Sequence, residues 1–154
     1  MRGPDEVMVA VHRRRGSGRE FLVLRRVPER LGYWGLVAGG VEAGETPIEA
    51  AERELAEEVG LEPESELSEL GLSLGYELAE EPEEVRARFD PAVERVVLHA
   101  FAVEVPDGWE PRLDTEHDEY RWCPLVEAVE TMVYESPREA LLETARRLEN
   151  GPEH

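Results

Sequence analysis

Three glutamates in the chain, Glu54, Glu57 and Glu58, are spaced so that their carboxylates would share one face of a helix. Like charges at this spacing repel each other and weaken an isolated helix. A hard divalent cation would relieve the repulsion, because Mg²⁺ takes oxygen ligands and often works together with substrate phosphates. The spacing therefore indicates a metal site that acts on a phosphorylated compound.

Acidic helices in an acid-rich chain are more often solvated surfaces, and three glutamates alone would favour that interpretation. Here the glutamates belong to a larger set of residues at fixed spacing. A chance match of the whole set is on the order of one in ten thousand or rarer. We therefore reject the surface interpretation for the set, though not for each glutamate alone. The set consists of Gly39, Glu45, Arg53, Glu54, Leu55, Glu57, Glu58, Gly60 and Leu61.

A helix over residues 47–59 is predicted to carry these carboxylates. Thr46 is a suitable N-cap, Pro47 suits the first helical position, and Glu49 completes a capping box. Gly60 is predicted to end the helix. The apolar stripe of the helix is predicted to contain Ile48, Ala51, Leu55 and Val59.

The loop before this helix contains Gly39, Gly40 and Gly44, which allow a ligand to approach the main chain closely. A carbonyl oxygen of the loop can then serve a cation. Arg53 is expected to reach Glu45 and to join the loop to the helix. The alternatives are an ordinary glycine turn and a surface arginine without a fixed partner.

The rest of the chain is predicted to form a mixed sheet with helices on both faces, an α/β fold. Residues 79–92 are interpreted as a long mobile loop because they are acidic and contain Pro82 and Pro91. Helices are expected over 125–133 and 137–150, the second capped by Ser136. Strands are expected over 6–12, 20–26, 33–38, 70–78, 95–105 and 120–123.

Length and composition predict one domain over residues 1–154 with a real core, because 41% of the residues are apolar. No apolar run approaches a membrane span, and the N-terminal residues lack the apolar region of a secretory signal. Cys123 is the single cysteine, which fits a reducing, cytoplasmic location and a small buried side chain.

The net charge of −19 opposes binding to nucleic acid and to anionic lipid. We therefore expect neither as a partner. A polyphosphate substrate would need metal ions and local arginines to overcome the repulsion. The chain has no lysine, so no lysine nucleophile or Schiff base is available.

The pattern Gly-x5-Glu-x7-Arg-Glu-apolar-x-Glu-Glu-x-Gly-apolar over residues 39–61 resembles the Nudix box, with every position filled. The resemblance implies a single Nudix domain, an α/β/α sandwich with a mixed sheet, and Mg²⁺- or Mn²⁺-dependent hydrolysis of a nucleoside diphosphate linked to another group. It implies orienting roles for Glu45 and Arg53. It implies metal binding by Glu54, Glu57 and Glu58, with the Gly39 carbonyl in the same site.

This chemistry is physically consistent with the residue types. Cleavage of a phosphoanhydride by water requires neutralised phosphoryl oxygens and an activated water, and divalent ions supply both. Carboxylates hold the ions, while positioning and electrostatics provide most of the rate. No covalent nucleophile is required.

The general base is left open between a glutamate of the box, Glu116 and Glu119. The segment TEHDEYRW, residues 115–122, is similar to a Glu-His…Tyr-Arg-Trp segment of several Nudix groups. On that similarity Glu116 is preferred over Glu119 as base or metal ligand. The alternative is a loop carboxylate in water.

Four residues outside the box are predicted to bind substrate. Arg25 or Arg26 can face the phosphates, since strand alternation sends them to opposite sheet faces. Trp34 can stack on a base or pterin ring. Tyr76 lies near the spacing of the tyrosine in diadenosine polyphosphate hydrolases. The alternatives are strand-end solvation for the arginines and core packing for Trp34.

The sequence gives weaker information about the substrate. Markers of ADP-ribose, NADH and coenzyme A enzymes are missing, whereas YWGLVAGGVEAGET and ESPREAL are similar to dihydroneopterin triphosphate pyrophosphatases. We expect a small nucleoside-triphosphate-like substrate such as dihydroneopterin triphosphate. The alternatives are a diadenosine polyphosphate hydrolase or a nucleotide-binding Nudix module without catalysis. By analogy with the fold, a homodimer is also expected.

Overall fold

The computed structural model describes residues 2–62 and 66–150, where the chain forms a mixed eight-stranded sheet with helices on both faces. The predicted domain of residues 1–154 thus includes short segments outside the described residues. The strands are β1 Asp5–Arg15, β2 Gly18–Arg26, β3 Trp34–Gly35, β4 Val37–Gly40, β5 Leu67–Glu69, β6 Leu74–Glu77, β7 Arg95–Glu104 and β8 His117–Cys123. The α-helices are α1 Pro47–Val59, α2 Glu83–Arg86, α3 Leu125–Thr131 and α4 Glu135–Asn150, and single 3-10 turns lie at Pro28–Arg30 and Leu78–Glu80.

Strand β1 lies at the centre of the sheet. It pairs in parallel with β7 and antiparallel with β2 and β4, while β8 and β3 continue beyond β2, and β5 and β6 pair with β7. In the β1–β4 ladder Val7 lies opposite Gly39 and Glu6 opposite Gly40. The glycines that precede the acidic helix are therefore anchored to the middle of the sheet.

Helix α1 has the predicted bounds because its local signals agree. The Thr46 hydroxyl accepts a hydrogen bond from the Glu49 N–H at 3.3 Å, and the Glu49 carboxylate accepts one from the Thr46 N–H at 2.9 Å. Pro47 occupies the first turn, and Gly60 ends the helix with a φ of 76°, a conformation that favours glycine.

The prediction that Ile48 belongs to the buried stripe is wrong, because its side chain is 44% exposed. Its helical angle is suitable, but it lies in the first turn, next to the exposed loop residues 42–44. The buried residues of α1 are Ala50, Ala51, Leu55, Glu58 and Val59, and the four apolar ones pack on valines and leucines of β1, β2 and β4.

The opposite face of the sheet is covered by α3 and α4. Met8, Phe21 and Val23 of the sheet pack there against Met132 and Leu141. The predicted burial of Cys123 is confirmed, and burial raises the pKa of its thiol to about 12. None of the helices over the described residues has the length and apolar character needed to cross a membrane.

The middle of the chain departs from the prediction. Residues 70–78 do not form one strand, because Gly71, with a φ of 66°, separates β5 from β6. Residues 79–92 are not a featureless loop: they contain α2 and the buried Phe89, whose backbone bridges to Arg2. The predicted 33–38 strand is divided into β3 and β4, and α4 begins at Glu135, so Ser136 lies inside the helix.

Candidate functional site

The three glutamates of α1 differ strongly in exposure. Glu58 is 5% exposed, whereas the side chains of Glu54 and Glu57 are 12% and 56% exposed. The helical angle of about 100° per residue explains the series, because Glu58 lies within about 20° of Ala51, and Glu54 and Glu57 lie progressively further toward solvent. The carboxylates therefore lead from the sheet to the surface.

Gly39 at the end of β4 gives Glu54 and Glu58 their place against the sheet. A Cβ atom at position 39 would overlap the Glu54 carboxylate, so the close approach requires glycine. The neighbouring Ala38 N–H donates a hydrogen bond to the Glu58 carboxylate at 3.4 Å. Strand and helix thus form one acidic site.

The pKa values of both buried carboxyls are raised. Burial is the main cause for Glu58, and the hydrogen bond and negative charge of Glu54 add to it. Burial also raises the pKa of Glu54, although the Arg53 guanidinium opposes the shift. Two adjacent carboxyls in such a site are both ionised only at high cost. A positive charge between them lowers this cost, and otherwise the pair holds a proton.

Arg53 is the centre of a hydrogen-bond network that ties loop to helix. Its Nε and Nη2 donate to the two Glu45 oxygens at 2.7 and 3.0 Å, which confirms the predicted contact. Nη2 also donates to the Gly40 carbonyl at 2.8 Å, and Nη1 donates to Glu54 at 3.0 Å and Glu57 at 3.1 Å. The contact with Arg53 is the main cause that lowers the pKa of Glu45.

The donor chemistry of the site fits a hard divalent cation such as Mg²⁺ or Mn²⁺, since buried carboxylate oxygens without enough positive charge are what such ions bind. Over residues 2–62 and 66–150 no group of three or more His, Cys, Asp or Glu side chains is arranged to hold an ion. The assignment of Glu54, Glu57, Glu58 and the Gly39 carbonyl as metal ligands therefore stays a prediction.

The loop between β7 and β8 brings Asp114 to the site, whereas the sequence favours Glu116. The Asp114 N–H donates to the Glu58 carbonyl at 3.3 Å, and the charge of Asp114 contributes to the raised pKa of Glu58. Glu116 instead accepts a hydrogen bond from Arg30 at 2.9 Å, and Glu119 lies 3.2 Å from Arg25. Which carboxylate acts as the general base therefore stays a prediction, and Asp114 is a further candidate for that role.

Sequence reasoning missed Asp114 because no local signal marks it. Its place depends on how residues 105–116 fold back along the end of α1, where the Arg112 N–H donates to the Val59 carbonyl at 2.9 Å. Asp114 also holds the buried His117 ring at 2.9 Å.

The predicted substrate residues of β2 and β3 contact one another and β8. Arg25 donates to Asp118 at 2.8 Å, and Arg26 donates to the Arg30 carbonyl at 3.2 Å. The centre of the Trp34 ring lies 5.8 Å from the Arg25 guanidinium and 4.6 Å from that of Arg121, and the ring packs on the core. Their roles toward a substrate stay predictions.

Tyr76 lies on β6 and donates its hydroxyl to Glu6 on β1 at 3.1 Å. Burial raises the pKa of Glu6, and the Arg2 guanidinium lies 3.3 Å from the second Glu6 oxygen. Arg2 also lines an open cleft of about 630 Å³ that reaches Glu54 and Glu45. Arg2 lies outside the motif, and no spacing or local pattern singles it out.

Trp109 lies in the loop between β7 and β8 and is half-buried. Its ring packs edge to face on Trp122, with centroids 6.3 Å apart, beside the core under α1. The Trp122 indole N–H donates to Glu110 at 2.9 Å, and the Arg13 guanidinium lies 4.1 Å from the Trp122 ring centroid. This aromatic pair therefore helps to fix the loop that carries Asp114.

The chain is similar in sequence and in fold to known proteins. The sequence pattern of the NUDIX domain family matches residues 4–146. The chain is 36% identical over 141 residues to an octanoyltransferase of Myxococcus xanthus, covering 88% of this chain but only 35% of that relative. It is 33% identical to an RNA pyrophosphohydrolase of Roseobacter denitrificans, covering 84% of this chain and 83% of the relative. The dihydroneopterin triphosphate pyrophosphohydrolase of E. coli has a similar structure, with a TM-score of 0.79, 26% identity, and 95% and 97% of the two chains covered.

Proposed function

Because the chain belongs to the Nudix hydrolase family, we propose that it is a metal-dependent pyrophosphohydrolase that cleaves a phosphoanhydride bond in a small nucleoside-triphosphate-like compound, such as dihydroneopterin triphosphate. The observation that carries the proposal is the pair of adjacent buried carboxyls, Glu54 and Glu58, packed against Gly39. Burial of such a pair is costly and contributes nothing to packing, so it is explained best by a cation that the pair binds.

The residues of the chain divide the work as follows. Glu54 and Glu58 would hold Mg²⁺ or Mn²⁺, with Glu57 and the Gly39 carbonyl as further predicted ligands. The bound ion would neutralise phosphoryl oxygens and lower the pKa of an attacking water. Arg53 fixes the Glu45 loop and the orientation of Glu54 and Glu57 through its hydrogen bonds. A neighbouring carboxylate would accept the proton of the water.

The triphosphate preference is supported by the similarity to the E. coli dihydroneopterin triphosphate pyrophosphohydrolase over nearly the whole chain. The similarity to RNA pyrophosphohydrolases supports cleavage of the same type of bond in a larger substrate. We favour the small compound because a net charge of −19 opposes nucleic acid binding. Diadenosine polyphosphates are the second choice, since Tyr76 lies near the corresponding spacing.

A substrate screen tests the proposal. The purified protein is incubated with Mg²⁺ or Mn²⁺ and nucleoside triphosphates, dihydroneopterin triphosphate, diadenosine polyphosphates, ADP-ribose, NADH and a 5′-triphosphate RNA oligomer, and released phosphate and pyrophosphate are measured. We expect the highest kcat/KM with a small triphosphate and no activity with a chelator. A preference for ADP-ribose, NADH or RNA would overturn the substrate proposal.

A binding module without catalysis is the main alternative in another functional class. It predicts tight nucleotide binding by calorimetry and no product after long incubation with either metal. The intact set of box residues argues against it, because binding alone does not require the buried glutamates. We also propose that residues 1–154 act as one Nudix domain and form a homodimer, which light scattering would test.

A further inference from the structure

The cleft beside the acidic site has an unbalanced charge. Four of its lining residues are acids: Asp5, Glu42, Glu45 and Glu54. Among the described lining residues, Arg2 is the one cation. A polyphosphate that enters this cleft is repelled by these four carboxylates, so the one guanidinium that faces it has a large influence on binding.

Arg2 is held in the cleft by its backbone. Its N–H donates to the Arg88 carbonyl at 2.9 Å, and its carbonyl accepts from the Asp90 N–H at 2.9 Å. These two bonds fix Arg2 to the segment that follows α2. The position of the residue is therefore defined by the fold, although it lies at the start of the described chain.

The Arg2 side chain is oriented by two further contacts. Its guanidinium lies 5.5 Å from the centre of the Phe89 ring, and Nη2 lies 3.3 Å from Glu6, which Tyr76 holds from the other side. A single long contact to Glu6 does not use the fork of donors that a guanidinium offers. The side chain is 35% exposed, so donors remain available to a ligand.

Gly40 lets the guanidinium approach the backbone of the metal-site loop. A Cβ atom at position 40 would lie 3.0 Å from Arg2 Nε, tighter than an ordinary contact. Adjacent residues of a strand face opposite sides, so Gly39 meets Glu54 on one side while Gly40 meets Arg2 on the other. A phosphate chain crossing this edge would meet the metal-binding carboxylates first and Arg2 next.

We propose that Arg2 binds a phosphate group of the substrate, on the side of the Gly39–Gly40 backbone away from Glu54, and so sets affinity for polyphosphates. The inference rests on the proposed function. The planar fork of arginine matches phosphate oxygens. The NUDIX pattern matches only from residue 4, so this contact would belong to the chain itself rather than to the matched region.

The test compares Arg2→Ala, Arg2→Lys and a matched control, Arg14→Ala, all with a C-terminal purification tag. Arg14 is an exposed arginine near the end of β1, far along the chain from Arg2, and its removal changes the net charge equally. With the best substrate of the screen, we expect Arg2→Ala to raise KM about tenfold or more with kcat changed less than threefold. Arg2→Lys should lie between, and Arg14→Ala should stay within twofold of the parent protein.

A second comparison separates phosphate binding from the loss of the Glu6 partner. Removing Arg2 alone leaves the Glu6 carboxyl with its Tyr76 hydrogen bond but without a neighbouring cation, and its charge could then repel the substrate. In the double variant Arg2→Ala/Glu6→Gln that charge is gone. We expect the high KM to persist in the double variant, and recovery to the parent KM would overturn the proposal. If Arg2→Ala does not fold, the same comparison is made with Arg2→Gln.

Calorimetry with inorganic tripolyphosphate and Mg²⁺ distinguishes this inference from the proposed function. We expect binding to the parent protein and at least tenfold weaker binding to Arg2→Ala. Equal affinity and equal KM in an active protein would overturn the role of Arg2 and leave the function intact. A parent protein that hydrolyses none of the screened compounds would overturn the function, whatever the Arg2 variants bind.

Discussion

The two faces of the sheet bury different kinds of residues, although the same strands supply both. Under α1 the buried residues include a glutamate, Glu58, as well as valines and leucines. Under α3 and α4 the packed cluster is apolar, and its buried polar neighbours include Thr144, which donates to the Ala140 carbonyl at 2.7 Å, and His12, whose ring lies 5.9 Å from the Phe21 ring. One face is therefore built for packing and the other carries a charge that packing does not need.

The difference indicates that the α1 face contains a side chain that lowers the stability of the fold. A buried carboxylate without a partner costs several kcal/mol, whereas a buried apolar side chain contributes about 1.5–3 kcal/mol. On the α1 face the cost is limited by Arg53 and by raised pKa values. Substitutions on the two faces should accordingly separate activity from stability.

The largest expected effect comes from Glu58→Gln. It should lower kcat/KM by about a thousandfold or more, because the amide is a poor metal ligand. The free energy of unfolding of the metal-free protein should stay equal or rise, because a buried ionisable group is removed. Steady-state kinetics and denaturant unfolding measure the two effects, and unchanged metal-dependent activity would contradict the metal assignment.

The matched substitution on the other face is Leu141→Ala. Leu141 is a residue of α4 and is fully buried against the sheet. The cavity left by its truncation should lower the free energy of unfolding by about 2–5 kcal/mol. The folded fraction should retain its kcat/KM within about twofold. A large loss of activity per folded molecule would mean that the two faces are not independent.

His12 gives the packing face its own pH dependence. Burial, aided by Arg19, lowers the pKa of His12 from 6.5 to about 4, while Glu104 opposes the shift. Between these values the unfolded chain binds the proton and the folded chain does not, so stability is full above about pH 6.5 and falls as the pH drops toward 4. At pH 5 the loss is about 2 kcal/mol.

Denaturant unfolding between pH 4 and pH 7.5 measures this slope. The comparison is with His12→Gln, which removes the titrating group. The difference between the two curves should follow the window from 6.5 to 4. Parallel curves for the two proteins would show that His12 does not carry the effect.

The smallest effect is expected from Arg53→Lys, which keeps the charge but loses the fork of donors. Because Arg53 binds Glu45, Gly40, Glu54 and Glu57 together, kcat/KM should fall about tenfold. The control is Arg146→Lys on α4, an exposed arginine that binds Glu143 alone among the described residues. The Arg146→Lys variant should keep the kcat/KM of the parent protein. An equal loss of kcat/KM in both variants would indicate a general charge effect.

Helix α1 and its arginine contact were predictable because their signals are local. Thr46, Glu49 and Gly60 are capping residues whose partners lie within the helix. Arg53 and Glu45 lie eight residues apart, across one loop. The spacing of residues 39–61 therefore predicts both the element and the acidic site.

Contacts between distant segments were not predictable in this way. Arg2 reaches Gly40 only because β1 pairs with β4, and its backbone is fixed by residues 88 and 90. Asp114 reaches Glu58 only when the loop before β8 folds back on α1. Charge and exposure at such positions follow from the tertiary arrangement, which periodicity and turn signals do not specify.

We propose that Glu54 and Glu58 together bind the divalent cation. Calorimetric titration of the substrate-free protein with Mn²⁺ tests it most directly, with the double variant Glu54→Gln/Glu58→Gln as the comparison. We predict binding to the parent protein and its loss in the folded double variant. Equal Mn²⁺ affinity in the two proteins would contradict the account.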